Sequence, residues 1–517
     1  MSTIFQGHEI SQEQKNCLTL FKKMNHGDLL TIESGAGASK TFTCSLLISK
    51  GAAPYHKALV LAFNRLIVDE MRESFADNVT IVTTHELARM HTNNIAEHRL
   101  ETPLTPQHVC KALTLACTVG KLDRLTFAEK LITIISRYAS SISTSIQRFL
   151  EDNKFSLMRP SEYEMLPMFI YYGKSLWEKM CNKNSDIPVL HDVYLKEFVF
   201  AIVRGDLTLD YDIVVLDEAQ DSAPIAKLLF ESLQGKKISA GDTFQSIYEW
   251  RGAVNVMEQL AKTTTHSARL TTCYRFGQEI ADIANGLIVK FHGRTPNFKG
   301  HPSKSSEIIE SATEFNPNRQ ELWLFRTNAE LMGELIAASN KGVKCHLLKD
   351  NQEYLNLITQ AESLFNCNPV SKGVLASFTD WKEFETFAMS EAGGEYKSFV
   401  NAVMRYGFFE IRKVIEASAN TQPENAQRLF STAHACKGLE FESVVLFSDF
   451  DKILNRSSGR MLLQEVNLLY VALTRAKLRL DISRCKTLID IIKRPPIKLN
   501  KAIMDSKRNQ LAELGLL

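Results

Sequence analysis

The chain is 517 residues long, 44% hydrophobic and 23% charged, a balance that excludes disorder and fits a folded protein of three or four structural units. With 61 Lys and Arg against 59 Asp and Glu, the net charge of +2 excludes a polybasic coat; cations for nucleic acid would have to be gathered in a groove. Ten cysteines from Cys17 to Cys485 show no C-x-x-C pair or metal-ligand spacing, so reduced core thiols of an intracellular protein are expected. The opening MSTIFQGHEISQEQKN lacks an apolar secretion core, and no run of about 18 apolar residues follows, so neither secretion nor membrane spanning is expected.

Along the chain, short apolar runs end in small or polar residues and lead into helical patterns. Leu29 to Ile32 runs into Ser34-Gly35-Ala36-Gly37, and Ala58 to Phe63 into Asn64. Ile213 to Leu216 meets Asp217-Glu218, and Lys237 to Ala240 meets Gly241-Asp242. Continuous apolar strands alternating with helices predict an α/β fold with parallel sheets flanked by helices, whose ligands sit at the carboxyl ends of the strands. A second series follows residue 270: Leu322 to Phe325, Ser443 to Phe447 and Leu478 to Ile482. Two mainly helical stretches interrupt the alternation. The expected division is a first lobe of 1–90 and 201–270 with a helical insertion at 91–200, in which Phe127 to Phe149 reads as helix. The second lobe is 271–345 and 429–495, with a short insertion at 346–428 and a tail at 496–517. Lys486 to Arg508 is rich in Lys and Arg and reads as a solvated helix.

Ser34-Gly35-Ala36-Gly37-Ala38-Ser39-Lys40-Thr41 joins a strand to a helical pattern at Phe42 to Ser49. Small residues there let backbone N–H groups approach a triphosphate at a helix N-terminus. Lys40 would neutralise β/γ-phosphates and the Thr41 hydroxyl would ligate Mg²⁺. The pattern G-x-x-x-x-G-K-[ST] has serine at both glycine positions, Ser34 and Ser39, and the Cβ of Ser39 restricts a backbone that glycine leaves free. Asp217 would take a metal role and Glu218 would act as base on the attacking water. In Gly241 to Ala253, Gln245 can bond a γ-phosphate or its water, and Tyr248 and Trp250 can present faces to bases.

These strings, in this order from Gln14 to Arg475, resemble UvrD/Rep-type superfamily 1 DNA helicases. His191-Asp192-Val193-Tyr194-Leu195-Lys196, Tyr274-Arg275-Phe276-Gly277 and Asn467 to Ala476 are similar to the helicase core of F-box DNA helicases. The residues before the P-loop are expected to hold no F-box. The resemblance implies two RecA-like P-loop NTPase lobes, each with a mainly helical insertion, and an ATP- and Mg²⁺-dependent motor. It would move 3′→5′ on single-stranded DNA and unwind duplex, as a monomer serving DNA repair or recombination, in the cytoplasm of a bacterial or phage host or the nucleus of a eukaryote. A translocase that strips proteins with little unwinding, or a DNA binder that Ser39 has deprived of hydrolysis, are the alternatives.

By the same resemblance, Gln14 reads the adenine edge and Tyr274 stacks on the base. Arg275 reaches the γ-phosphate, Glu440 contacts ribose or phosphates, and Arg475 acts as an arginine finger. Phe63, Asn64, Thr83, His85, Tyr248, Trp250, Arg251, Thr432 and His434 would meet DNA, and Arg326 and Asn328 match an arginine-asparagine strand end.

Overall fold

The apolar runs of the first half become strands of one parallel sheet. In chain order, α1 (Gln12–Lys23) precedes β1 (Leu29–Ser34), α2 (Lys40–Leu46), β2 (Ala58–Ala62), α3 (Arg65–Arg72), β3 (Val79–Thr83) and α4 (Thr84–His91). After the helical insertion come β4 (Ile213–Leu216), β5 (Lys236–Gly241) and β6 (His266–Leu270). The structure, a computed structural model, describes residues 4–493 apart from 53–55, 73, 74, 77, 93, 94, 250–253, 312–315, 350, 371–374, 377, 391, 392, 395, 456 and 458.

The strand order is β6-β1-β5-β4-β2-β3, all parallel. Every residue of β2 (ALVLA) and β4 (IVVL) is buried, as expected where helices cover both faces of a parallel sheet. Because β1, β5 and β4 are neighbours, Ser34, Gly241 and Leu216 end side by side. The P-loop, Asp242 and Asp217 therefore leave the same edge of the sheet, the edge at which ligands of such sheets bind. β3 and β6, whose apolar residues are interrupted by polar ones, were not among the sequence-based strands.

The second sheet holds β7 (Glu307–Ile309), β8 (Glu321–Phe325), β9 (Cys345–Leu347), β10 (Arg428–Thr432), β11 (Phe441–Leu446) and β12 (Ala476–Asp481). Its order is β7-β12-β11-β8-β10-β9, so the α/β class of two parallel, helix-flanked sheets is confirmed. Phe325, Phe430 and Phe447 pack one layer of its core, with the Phe325 and Phe447 ring centroids 4.2 Å apart. Compact units group residues 1–34, 40–270 and 327–426, and separately 35–39, 271–326 and 427–517.

The helical insertion has its own core around Phe127, Ile134, Phe169 and Leu176. The expected helix from Phe127 to Phe149 is two, α5 (Arg124–Ser140) and α6 (Ile146–Leu157). Serines make the break: Ser141 Oγ donates to Tyr138 O at 2.7 Å, and Ser145 Oγ accepts the Arg148 N–H at 3.2 Å. Two buried cations close helix ends in this insertion. Lys196 Nζ donates to the carbonyls of Tyr138 and Ser141, each at 2.7 Å, at the end of α5. Arg99 donates to Met180 O at 3.0 Å, in the last turn of the helix Leu166–Cys181, and to Asn182 O at 2.9 Å, just past it. Both meet carbonyls at a helix C-terminus, where the helix dipole is negative.

All ten cysteines are free, but Cys117, Cys181 and Cys367 are exposed and Cys110 half-buried, so six of the ten are core thiols. Among the described residues no helix is long and apolar enough to cross a membrane. The basic C-terminal stretch forms a helix over Lys486–Lys493; its remainder lies outside the described residues.

Candidate active site

In the first unit, β1 delivers the chain into the loop and α2 opens at Lys40. The Lys40 Nζ lies 3.2 Å from Glu218 Oε1, and both side chains are largely buried. Burial alone would lower the Lys40 pKa; the carboxylates of Glu218, Asp217 and Asp242 outweigh it and hold the ammonium above its ordinary value. Asp217 follows β4 and is 3% exposed. Glu218 stands next to it in the left-handed region, with φ +48°. Gln245 lies in a single turn after β5, and its Nε2 donates to Asp242 Oδ2 at 2.7 Å.

Asp242 is a member of this cluster that the residue roles drawn from sequence passed over. Burial pushes its carboxyl up to about 7, opposed by Lys40 and reinforced by Glu33, which itself accepts from the Thr243 N–H at 2.9 Å and hydroxyl at 2.8 Å. The signal was present: Asp242 ends an apolar strand just as Asp217 does. Gln220 was missed too. It donates to Glu218 Oε2 and accepts the Asp242 N–H at 3.0 Å.

Ser39 has φ +58°, so the backbone takes a glycine-type conformation in spite of the Cβ. Ser34, at the other glycine position, uses its hydroxyl instead, donating to Gly241 O at 2.9 Å. Gln14 is buried on α1: its Oε1 accepts the Ser11 N–H at 2.9 Å and its Nε2 donates to Thr43 at 3.4 Å. Thr41 is half-buried in the first turn of α2. One hydroxyl and one buried carboxylate fit Mg²⁺ that arrives with nucleotide phosphates, which takes one or two protein ligands and keeps its waters. Among the described residues no cluster of three or more acidic, His or Cys side chains forms a self-sufficient metal cage.

Residues 35–39 belong to the second unit. There the Ala36 N–H meets the Tyr470 hydroxyl at 3.2 Å, and the Tyr274 N–H donates to Gly37 O at 2.8 Å. A Cβ on Gly35 would lie 2.6 Å from the Phe298 ring, and one on Gly37 (φ +69°) 2.8 Å from the Arg275 Cβ, so both positions need glycine. Ala38 is buried and its N–H donates to Gly35 O at 3.2 Å. Arg275 Nε contacts Glu440 Oε2 at 2.7 Å and its Nη1 donates to Thr474 O at 2.7 Å. Burial would raise Glu440, but Arg275 and Lys477 hold its carboxyl below the usual range. Arg475 is 2% exposed; its guanidinium donates to Val471 O at 2.9 Å and Leu439 O at 3.0 Å. The half-buried Tyr274 ring sits 5.4 Å from His301.

Of the residues expected to meet DNA, Phe63 and Tyr248 stack with centroids 5.1 Å apart. Asn64 and Thr83 also serve the backbone: Asn64 Oδ1 accepts the Ile67 N–H at 2.9 Å, and Thr83 caps α4. His85 Nε2 is 2.9 Å from Asp192 Oδ1. Thr432 ends β10 and accepts the Ala435 N–H at 3.4 Å, with the half-buried His434 on the turn that follows. Trp250 and Arg251 lie outside the described residues. Arg326 forms a two-bond fork with Glu465, at 2.6 and 2.7 Å.

The UvrD/REP helicase N-terminal domain model matches residues 11–266, and the UvrD-like helicase C-terminal domain model matches residues 395–487. The chain is 27% identical over 510 residues to F-box DNA helicase protein 1 of Schizosaccharomyces pombe, covering 91% of this chain and 57% of that protein. It is 24% identical over 515 residues to F-box DNA helicase 1 of Gallus gallus, covering 91% and 48%. A probable DNA helicase II homologue of Mycoplasma genitalium is 23% identical over 317 residues, covering 54% and 43%. The chain thus spans about half the length of the curated relatives it matches. With both family models matched in chain order, and with β1, which leads into the P-loop, and β4, which leads into Asp217-Glu218, on either side of β5, the chain belongs to the UvrD/Rep helicase family.

Proposed function

We propose that this protein is an ATP-dependent motor that moves 3′→5′ on single-stranded DNA and unwinds duplex at single-strand junctions. The observation that carries the reading is the convergence of Lys40, Asp217, Glu218, Asp242 and Gln245 at adjacent strand ends. Hydrolysis of a triphosphate asks for that set: a cation on the phosphates, a base for water and a group that orients it.

In this reading the N–H groups of Gly35, Ala36, Gly37, Ala38 and Ser39 cradle the phosphates, and Lys40 leaves Glu218 for the β/γ-oxygens. Thr41 and Asp217 would hold Mg²⁺, which neutralises phosphate charge when bound with nucleotide. Glu218 takes the proton of the attacking water and Gln245 orients that water. Arg275 and Arg475 place positive charge beside the γ-phosphoryl group as it is transferred to water and ADP leaves. Gln14 and Tyr274 select and stack the adenine, and Glu440 faces ribose or phosphate. Phe63 and Tyr248 offer a stacked aromatic pair, while Asn64, Thr83, His85, Trp250, Arg251, Thr432 and His434 complete the DNA contacts.

The polarity rests on the family resemblance, and the left-handed backbone reached by Ser39 favours an active P-loop over a hydrolysis-dead one. Phosphate release with and without single-stranded DNA, beside Lys40→Ala, tests the motor; 3′-tailed and 5′-tailed duplexes test direction and unwinding. DNA-stimulated release that vanishes in Lys40→Ala, with displacement of the 3′-tailed duplex alone, is expected. Release without strand displacement would leave a translocase, and background release with intact DNA binding would sink the motor.

A further inference from the structure

Gln220 lies two residues beyond Glu218, in the single turn Ala219–Asp221, and its side chain is completely buried. A buried amide must satisfy two N–H donors and a carbonyl. Here Nε2 donates to Glu218 Oε2 and, at 3.2 Å, to Asp221 Oδ2; Oε1 accepts the Asp242 N–H at 3.0 Å. Backbone links repeat the connection: Ser246 Oγ donates to Gln220 O at 3.0 Å, and the Ile247 N–H donates to Asp221 Oδ1 at 3.2 Å. One side chain therefore joins the acid after β4 to the loop after β5 that carries Asp242 and Gln245.

The neighbouring positions are shaped for this bridge. A Cβ on Gly241 would press into Gln220 Oε1 and also into the Met257 side chain, so the residue before Asp242 must be glycine for the amide to lie where it does. Glu218 reaches its place through a left-handed backbone (φ +48°), a conformation with no intrinsic preference for holding a carboxylate. Its Oε1 faces Lys40, the cation that phosphates would draw away, whereas Gln220 holds the other oxygen, Oε2, through a bond that does not involve Lys40.

We infer that Gln220 is a positioning residue for hydrolysis: it aims the Glu218 carboxylate and ties that aim to the loop bearing Gln245. The inference rests on Glu218 acting as the base, as proposed above. An amide that merely fills the core would stabilise the fold without acting through Glu218.

A double-mutant cycle separates these roles. Single-turnover ATP hydrolysis with single-stranded DNA is measured for the wild type, Gln220→Leu, Glu218→Gln and the double variant, with ATP affinity read from a fluorescent nucleotide. Gln220→Leu should slow turnover about 10- to 100-fold, the usual effect of removing a partner that orients a reacting group. ATP affinity should stay within about twofold, because only the aim of the base changes. In the Glu218→Gln background the Gln220→Leu change should cost nothing further. Gly241→Ala, which displaces the amide without removing it, should lower turnover in the same way. Wild-type turnover in Gln220→Leu, a full additional loss in the double variant, or affinity falling along with rate would each overturn the inference. If Gln220→Leu fails to fold, Gly241→Ala decides, and unchanged turnover there overturns it. A wild type without phosphate release sinks both readings; an active wild type with an active Gln220→Leu sinks this one alone.

Discussion

The ammonium of Lys40 and the carboxylate of Glu218 face one another at 3.2 Å, so the cation proposed for the phosphates and the base proposed for the water offset each other's charge. In the proposed reading, nucleotide must compete with Glu218 for Lys40. Glu218→Gln removes the competitor and the base together: ATP should bind more tightly while hydrolysis falls by roughly 10²- to 10⁴-fold, the usual contribution of a positioned base. Titration with a fluorescent nucleotide beside phosphate release checks both; weaker binding would refute the exchange.

Ser39 occupies a left-handed backbone position, which costs a residue with a Cβ about 1 kcal/mol relative to glycine. Ser39→Gly should raise the thermal midpoint and leave hydrolysis equal or faster. Ser39→Ala, with the same Cβ, should show no such gain. A loss of stability in Ser39→Gly would mean that the hydroxyl outweighs the strain.

Burial lifts the Asp242 carboxyl to about 7, above its unfolded value of 3.8. The folded chain then binds more protons than the unfolded chain between those two values, so this group's contribution favours the fold at low pH and is lost as pH rises towards 7. The stability of Asp242→Asn relative to the wild type should therefore rise from pH 5 to pH 7 and level off above it. Thermal melts across that range check the slope, and a flat difference would remove Asp242 as its source.

Arg475 and Arg275 should fail differently. Removing the Arg475 guanidinium strips donors from the carbonyls of Val471 and Leu439 in a buried place, costing about 3 kcal/mol. Arg475→Ala should lose both stability and turnover. Arg275 is anchored to Glu440 and to Thr474 O nearer solvent, and Arg275→Ala should mainly lower turnover, by about 10³-fold or more if it acts on the γ-phosphate. Melts and phosphate release on both variants test the contrast.

Tyr248 stacks on Phe63 with an interplanar angle of 26°, the pair proposed as a stacking platform for a DNA base. Tyr248→Ala should weaken binding of a labelled oligothymidine by about 1–3 kcal/mol, read by anisotropy. Because the rings touch, Phe63→Ala should add less than its own loss to that variant. Unchanged affinity would leave the pair as core packing.

What the sequence by itself determined was the α/β class, the strands ALVLA and IVVL, and the presence, in chain order, of a small-residue loop and the Asp217-Glu218 pair at strand ends. Buried parallel strands are written as unbroken apolar runs, and polar residues at their ends are the ones ligands meet. Strands that alternate or run short, such as Val79–Thr83, His266–Leu270 and Cys345–Leu347, are set by pairing partners far along the chain and had no local signature. The break at Ser141 was equally hidden in a helical pattern. Only the tertiary structure decided that β1, β5 and β4 are neighbours. That adjacency brings Lys40 against Glu218, buries Asp242 beside them and lets Gln220 span two loops, because side-chain contacts across a parallel sheet depend on strand order, which no local run of residues encodes.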